Sequence, residues 1–370
     1  MRTRPGANDP ASPTAVRVLE GTEAIEGTEA IEDLANGALS LWDLPPGARA
    51  RLVNLSENAV LAVETIEGPL AVMRVHREGY HTRRAIASEL AWIAALDGAR
   101  IVAAPRAVPG RDGRVIQRVA APASPCARHA VLFRFVPGNA PDPDGDLVPL
   151  FETLGAIAAR LHAHAREWRP PEPFERMAWD ERAVLGPSPV WGDWRAGPNL
   201  TTEQRTVLER VERTLRARLA AFGKPPERYG LIHADMRLAN LLVDGPRLTV
   251  IDFDDCGFGW FLHDFAASIS FMEDDPRVPA LRAAWLRGYR SVRALPEAEE
   301  AEIDTFVMLR RLALLAWVGS RAEAPEPRAM APRFARVTAA LGRAYLERFE
   351  DAPLPSEDAP LPSVGAPDVL

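Results

Sequence analysis

Residues 231–245, LIHADMRLANLLVDG, set a histidine, two aspartates, an arginine and an asparagine between two short apolar runs. Residues 250–257, VIDFDDCG, follow closely, with Asp252 twelve positions after Asn240. Apolar runs broken at Asp244, Gly245 and Pro246 predict a loop, a short strand, a tight turn and a second strand. Such a hairpin brings Asn240 and Asp252 together. Both offer hard oxygen ligands, which suit Mg²⁺ rather than a soft metal. Asp235 stands five residues before Asn240. That ordered set meets the needs of phosphoryl transfer: one aspartate accepts a hydroxyl proton, while an asparagine and a later aspartate hold the metal on nucleotide phosphates. H-x-D alone, or D-x-D-D alone, decorates many surface turns. The ordered combination inside an apolar frame specifies a phosphate or metal site.

Outward from this stretch the pattern changes character once. Residues 49–136 read as strands around one helix: ARLVNLS, AVLAVET, LAVMRVHR, the helical TRRAIASELAWIAALDG, then RVIQRVA and HAVLFRFV. After PGNAPDPDGD the chain turns mostly helical, with long amphipathic segments at 147–167, 202–223, 300–319 and 332–349. The architecture expected is therefore α+β: an N-terminal extension over 1–48, partly disordered; a small β-rich lobe over 49–137; a larger helical lobe over 138–349; and a disordered tail over 350–370. The tails carry tandem copies of EGTEAI (20–31) and EDAPLPS (350–363), too few for a solenoid. A boundary between two such lobes is a natural place for a ligand cleft.

Bulk properties narrow the partners. A net charge of −7 over 370 residues argues against a nucleic-acid-binding surface. Cys126 and Cys256 make neither a disulfide framework nor a metal spacing, the N-terminus lacks the apolar core of a signal peptide, and two arginines interrupt the most apolar helix, FVMLRRLALLAWVG. A cytoplasmic protein with no membrane span is expected. Of 44 basic residues, Lys224 is the single lysine.

HADMRLANLLVDGPRLTVIDFDDCGFGWFLHDFA resembles the catalytic core of the aminoglycoside phosphotransferase and choline kinase-like superfamily, near its stress response kinase and type II homoserine kinase branches. The resemblance runs from about residue 49 to 349. It implies a protein-kinase-like bilobal fold with ATP in the cleft, Asp235 as catalytic base, and Asn240 and Asp252 as Mg²⁺ ligands. His233 is expected to orient the loop, Arg237 to reach the γ-phosphate, and Asp264 to start the helix that follows. Ala234 and Ala239 stand where relatives often carry glycine. DFD replaces the DFG of protein kinases, and only about a dozen residues separate Asp252 from Asp264, too few for a phosphorylatable activation loop.

The amino-terminal lobe departs further. Kinases place a lysine on the third strand, paired to a glutamate on the next helix. Here LAVMRVHR offers Arg74, and Glu89 is the helix partner; arginine keeps the charge but is not equivalent to lysine. No G-x-G-x-x-G is present. Ser56 and Asn58 lie in the turn where the phosphate-covering loop belongs, and Phe135 and Val136 form the hinge whose backbone meets adenine. Asp254 and Asp255 would favour a cationic acceptor. His162 and His164, two apart on a helix, face different sides and are expected to be structural. The Trp-rich residues 177–195 either line an acceptor pocket or pack a long connection.

The activity expected is ATP- and Mg²⁺-dependent transfer of the γ-phosphate to a hydroxyl of a small, cationic metabolite or antibiotic. Three alternatives stand beside it: a protein Ser/Thr kinase of the stress response type, an inactive kinase-fold nucleotide-binding protein, and a metal-dependent phosphohydrolase built on His233, Asp235, Asp252 and Asp254. The sequence leaves the oligomeric state open.

Overall fold

A computed structural model describes residues 22–55, 58–120 and 127–355, with only the backbone given at 22–28 and 325. The chain separates into two compact units, the first comprising residues up to Tyr80 with Ala107–Phe135, the second His81–Arg106 with the rest.

The first unit holds helix α1 (Thr22–Ala38) and strands β1 (Arg49–Leu55), β2 (Ala59–Thr65), β3 (Gly68–Val75), β4 (Ala107–Val108), β5 (Ile116–Val119) and β6 (Arg128–Arg134). The strands form one antiparallel sheet in the order β1-β2-β3-β6-β4, with β5 also pairing β6. Alternation of apolar residues sends Leu61, Val63, Met73 and Val75 into the core. Residues 22–38, expected as part of a tail, instead form α1, which contributes Ile31, Ala35 and Ala38 to that core. The helix also blunts an open sheet edge: the Asn36 amide exchanges two hydrogen bonds of 2.9 Å with the Ala50 backbone, and Glu32 accepts from the Leu52 amide at 2.6 Å.

The second unit is helical: α2 (Arg83–Gly98), α3 (Val148–Glu167), α4 (Glu181–Leu185), α5 (Thr202–Phe222), α6 (His263–Ser268), α7 (Val278–Arg290), α8 (Glu297–Glu300), α9 (Ile303–Ser320) and α10 (Pro325–Phe349). Two small antiparallel pairs interrupt it: β7 (Tyr229–Ile232) with β10 (Gly257–Trp260), and β8 (Leu241–Asp244) with β9 (Arg247–Val250). Local chemistry sets the helix starts. Thr82 caps α2 through the Ala85 amide, and Thr201 with Gln204 forms a capping box on α5. α2, expected beside the strand-rich half, packs Trp92 edge-on against Phe253, 5.7 Å between ring centroids. Helices α3 and α7 approach so closely that a Cβ on Gly155 would run into the Trp285 carbonyl and one on Gly288 into that of Glu152. Residues 350–353, expected in the tail, dock on α5 through Arg210–Glu350 and through Arg218 to the Ala352 and Pro353 carbonyls. The later copy of EDAPLPS lies outside the described residues, as does Cys126. Among the described residues no helix is long and apolar enough to cross a membrane.

Candidate active site

The β8–β9 hairpin forms as its sequence predicts, with Leu241 opposite Val250. One further rung, Ile251 N–H to the Asn240 carbonyl at 2.9 Å, carries the pairing to the edge of both motifs, so Asn240 and Asp252 leave the same end of the hairpin.

Asp235 sits at the centre of a dense set of contacts. Its Oδ2 accepts from Asn240 Nδ2 at 2.6 Å and lies 3.5 Å from Arg237 Nε. Its Oδ1 accepts from Arg310 Nη2 at 2.6 Å. Burial pushes the Asp235 carboxyl upward, but the Arg237 and Arg310 charges outweigh it and hold the group below the usual carboxylate range. Asp235 is therefore an anion whose direction is fixed. Because Asn240 spends its amide nitrogen twice on Asp235, its carbonyl oxygen faces away from that residue. Asp252 is exposed and follows directly, so the pair presents the hard oxygen donors that a divalent cation takes. The donor set fits Mg²⁺.

The loop backbone is held from behind by Asp264. Its Oδ1 accepts from Ala234 N at 2.7 Å, and its Oδ2 from His233 N at 3.2 Å and from His162 Nε2 at 2.9 Å. Asp264 is the second residue of α6, in its first turn as expected, and its carboxylate also anchors the loop. That anchoring matters because Ala234 is left-handed, φ 67°, a conformation glycine adopts more cheaply. His162 gives its Nε2 proton to Asp264 and accepts at Nδ1 from Tyr289 OH (3.0 Å), which itself accepts from Arg293. Burial lowers the pKa of His162 and keeps the ring neutral. His233 does the same locally: Nε2 donates to the Ile251 carbonyl at 3.2 Å, while Nδ1 accepts from Asp235 N.

The other expected site residues distribute as follows. Arg237 is partly buried, and besides Asp235 it pairs with Glu326 at 3.0 Å. In the first unit, Arg74 is buried on β3 with its guanidinium 5.2 Å from the Phe133 ring centroid. Asn58 is buried and accepts from Arg77 N, Phe135 is exposed with its N–H bonded to Leu70 O, and Ser56 lies outside the described residues. In the second unit, Glu89 is fully buried on α2, and Val136 precedes Gly138, whose φ of 128° sits against the Val243 carbonyl. Asp254 is buried with its carboxylate 3.4 Å from His81, and the carbonyl of Asp255 takes the Trp179 indole N–H at 2.7 Å.

Two arginines escape the sequence reading. Arg176 clamps the segment after Asp252, giving hydrogen bonds to the carbonyls of Cys256, Asp254 and Ala85. Arg310 reaches Asp235 from α9. Its signal stood in FVMLRRLALLAWVG, where an arginine on an apolar helix demands a buried partner.

A strand-rich unit followed by a helical one carrying this aspartate-centred loop defines a protein-kinase-like fold. The chain belongs to the phosphotransferase enzyme family, which it matches over residues 50–301. Its relatives include named small-molecule kinases. A microcompartment-associated aminopropanol kinase of known structure is 44% identical, with a TM-score of 0.79, covering 85% of this chain and 97% of that one. A homoserine kinase from Gluconobacter oxydans is 28% identical over 286 residues, 72% of this chain and 82% of that protein. An amicoumacin kinase from Bacillus subtilis is 25% identical over 191 residues, 49% of this chain; the match spans 54% of that protein's length.

Proposed function

We propose that the protein transfers the γ-phosphate of ATP to the hydroxyl of a small amine-bearing alcohol. The observation that carries this is Asp235, an anion oriented by Arg310 and Asn240 in a chain 44% identical to an aminopropanol kinase. Homoserine, the acceptor named for the Gluconobacter relative, shares the same pairing of hydroxyl and amine. In this scheme Asp235 orients the acceptor hydroxyl and takes its proton as the oxygen bonds to the γ-phosphorus and the bond to the ADP oxygen breaks. Bound to Asn240 and Asp252, Mg²⁺ would supply charge neutralisation on the phosphates. In this reading Arg237 would contact the transferring group, Arg74 and Asn58 the other phosphates, and the backbone at Phe135 and Val136 the adenine. Asp254 and Asp255, clustered with His81, are the acids proposed for the acceptor's ammonium.

Two measurements test this. ATP consumption is followed over 1-amino-2-propanol, ethanolamine, homoserine, an aminoglycoside and a generic protein acceptor; turnover on the amino alcohols is expected, and turnover on the protein alone would overturn the substrate class. Asp235→Asn should fold and bind Mg²⁺–ATP while losing about 10²- to 10⁴-fold in kcat, the scale of a lost general base. Unchanged turnover in that variant sinks the mechanism.

A further inference from the structure

We infer that Arg310 is a positioning residue for phosphoryl transfer: it fixes the Asp235 carboxylate in the orientation from which that group meets the acceptor hydroxyl. The inference rests on the function proposed above. Arg310 is 2% exposed in the middle of α9, among Leu309, Leu312 and Ala313, an environment that would pack an aliphatic side chain at lower cost. Three elements hold it. Ser270, just past α6, accepts from Nε at 3.2 Å, the Trp191 ring lies 4.9 Å beneath the guanidinium, and Nη2 meets Asp235 Oδ1 at 2.6 Å. Nη1 is buried and has no hydrogen-bond partner among the described residues. A buried cation with an unspent donor is unfavourable for folding. What it provides is direction: with Arg310 on one oxygen and Asn240 on the other, the carboxylate cannot rotate about its Cβ–Cγ bond without losing a charge-assisted bond. Arg237, at 3.5 Å and shared with Glu326, is a looser partner. Each carboxylate oxygen retains a lone pair for the incoming hydroxyl.

The test compares Arg310→Met and Arg310→Lys in wild-type and Asp235→Asn backgrounds, measuring kcat and KM for ATP. Rates are taken with 1-amino-2-propanol and, separately, as ATP hydrolysis without acceptor. Arg310→Met is expected to lose about a hundredfold in kcat, the scale of a misplaced catalytic group, with KM for ATP within about threefold of wild type. Arg310→Lys keeps the charge without the planar fork, and a loss of about tenfold is expected; it decides the matter alone if the methionine variant does not fold. In the Asp235→Asn background either change should add less than about threefold, because Arg310 acts through Asp235. Wild-type kcat in the variants, a loss confined to KM for ATP, or an equal loss in both backgrounds overturns the inference. A wild type inert toward the amino alcohol discards the proposed acceptor, while the hydrolysis ratios still judge Arg310; absence of any nucleotide turnover discards both.

Discussion

Asp235 shows how a single residue's chemistry can be legible in part. Its spacing to Asn240 and Asp252 marks it in the sequence, because a hairpin is local and its ends meet by construction. Its partner Arg310 lies 75 positions away, and no local rule joins them. The same holds for His263, fully buried 6.2 Å from Trp179, with neither ring nitrogen hydrogen-bonded among the described residues. Burial, followed by the Arg310 charge, pushes its pKa down to about 3. An unfolded histidine titrates near 6.5. Above that pH both states are neutral and the histidine leaves stability unaffected. As pH falls from about 6.5 toward 3, the unfolded chain takes up a proton that the folded one refuses, and stability declines by up to about 1.4 kcal/mol per pH unit. His263→Phe should therefore lose about 3 kcal/mol less than wild type between pH 8 and pH 4.5. Urea midpoints at the two pH values measure this, and equal losses in both proteins would refute it.

At the scale of elements, the strands of the first unit follow their alternation, and the long helices follow their amphipathic faces. Short elements were harder. β10 consists of Gly257, Phe258, Gly259 and Trp260, whose glycines carry no strand signal; it exists because its backbone pairs with β7. The acidic repeat of α1 has the look of a solvated tail, yet one face of the helix covers a sheet edge that the sequence shows only as a strand. The α3–α7 crossing is the same kind of fact. Gly155 and Gly288 let the two backbones touch, and His162 on α3 then reaches both Tyr289 on α7 and Asp264. Gly155→Ala should cost about 2 kcal/mol or more, since backbone rather than a flexible side chain stands in the way. Denaturant unfolding checks this, and because the site is supported from this crossing, kcat should fall alongside stability; a variant as stable as wild type would show that the helices can part freely.

For the whole molecule, ligand linkage offers a direct measurement. Mg²⁺–ATP at about a hundred times its Kd should raise stability by about 2.7 kcal/mol. Thermal melting with ATP is expected to lose most of that gain in EDTA and in Asn240→Ala. A gain insensitive to both would remove Asn240 from the metal set. The family, the order of a strand-rich unit before a helical one, and the loop with its aspartate, asparagine and later aspartate were determined by the sequence alone. Those features depend on periodicity and on spacings within a hairpin, both local properties of the chain. Tertiary structure decided the rest: that α1 seals a sheet edge, that Asp264, in the first turn of α6, also anchors the loop, and that Arg310 steers Asp235. Each joins residues far apart in sequence, and burial makes such pairings obligatory, because a charge removed from water must find its partner wherever the fold has put it.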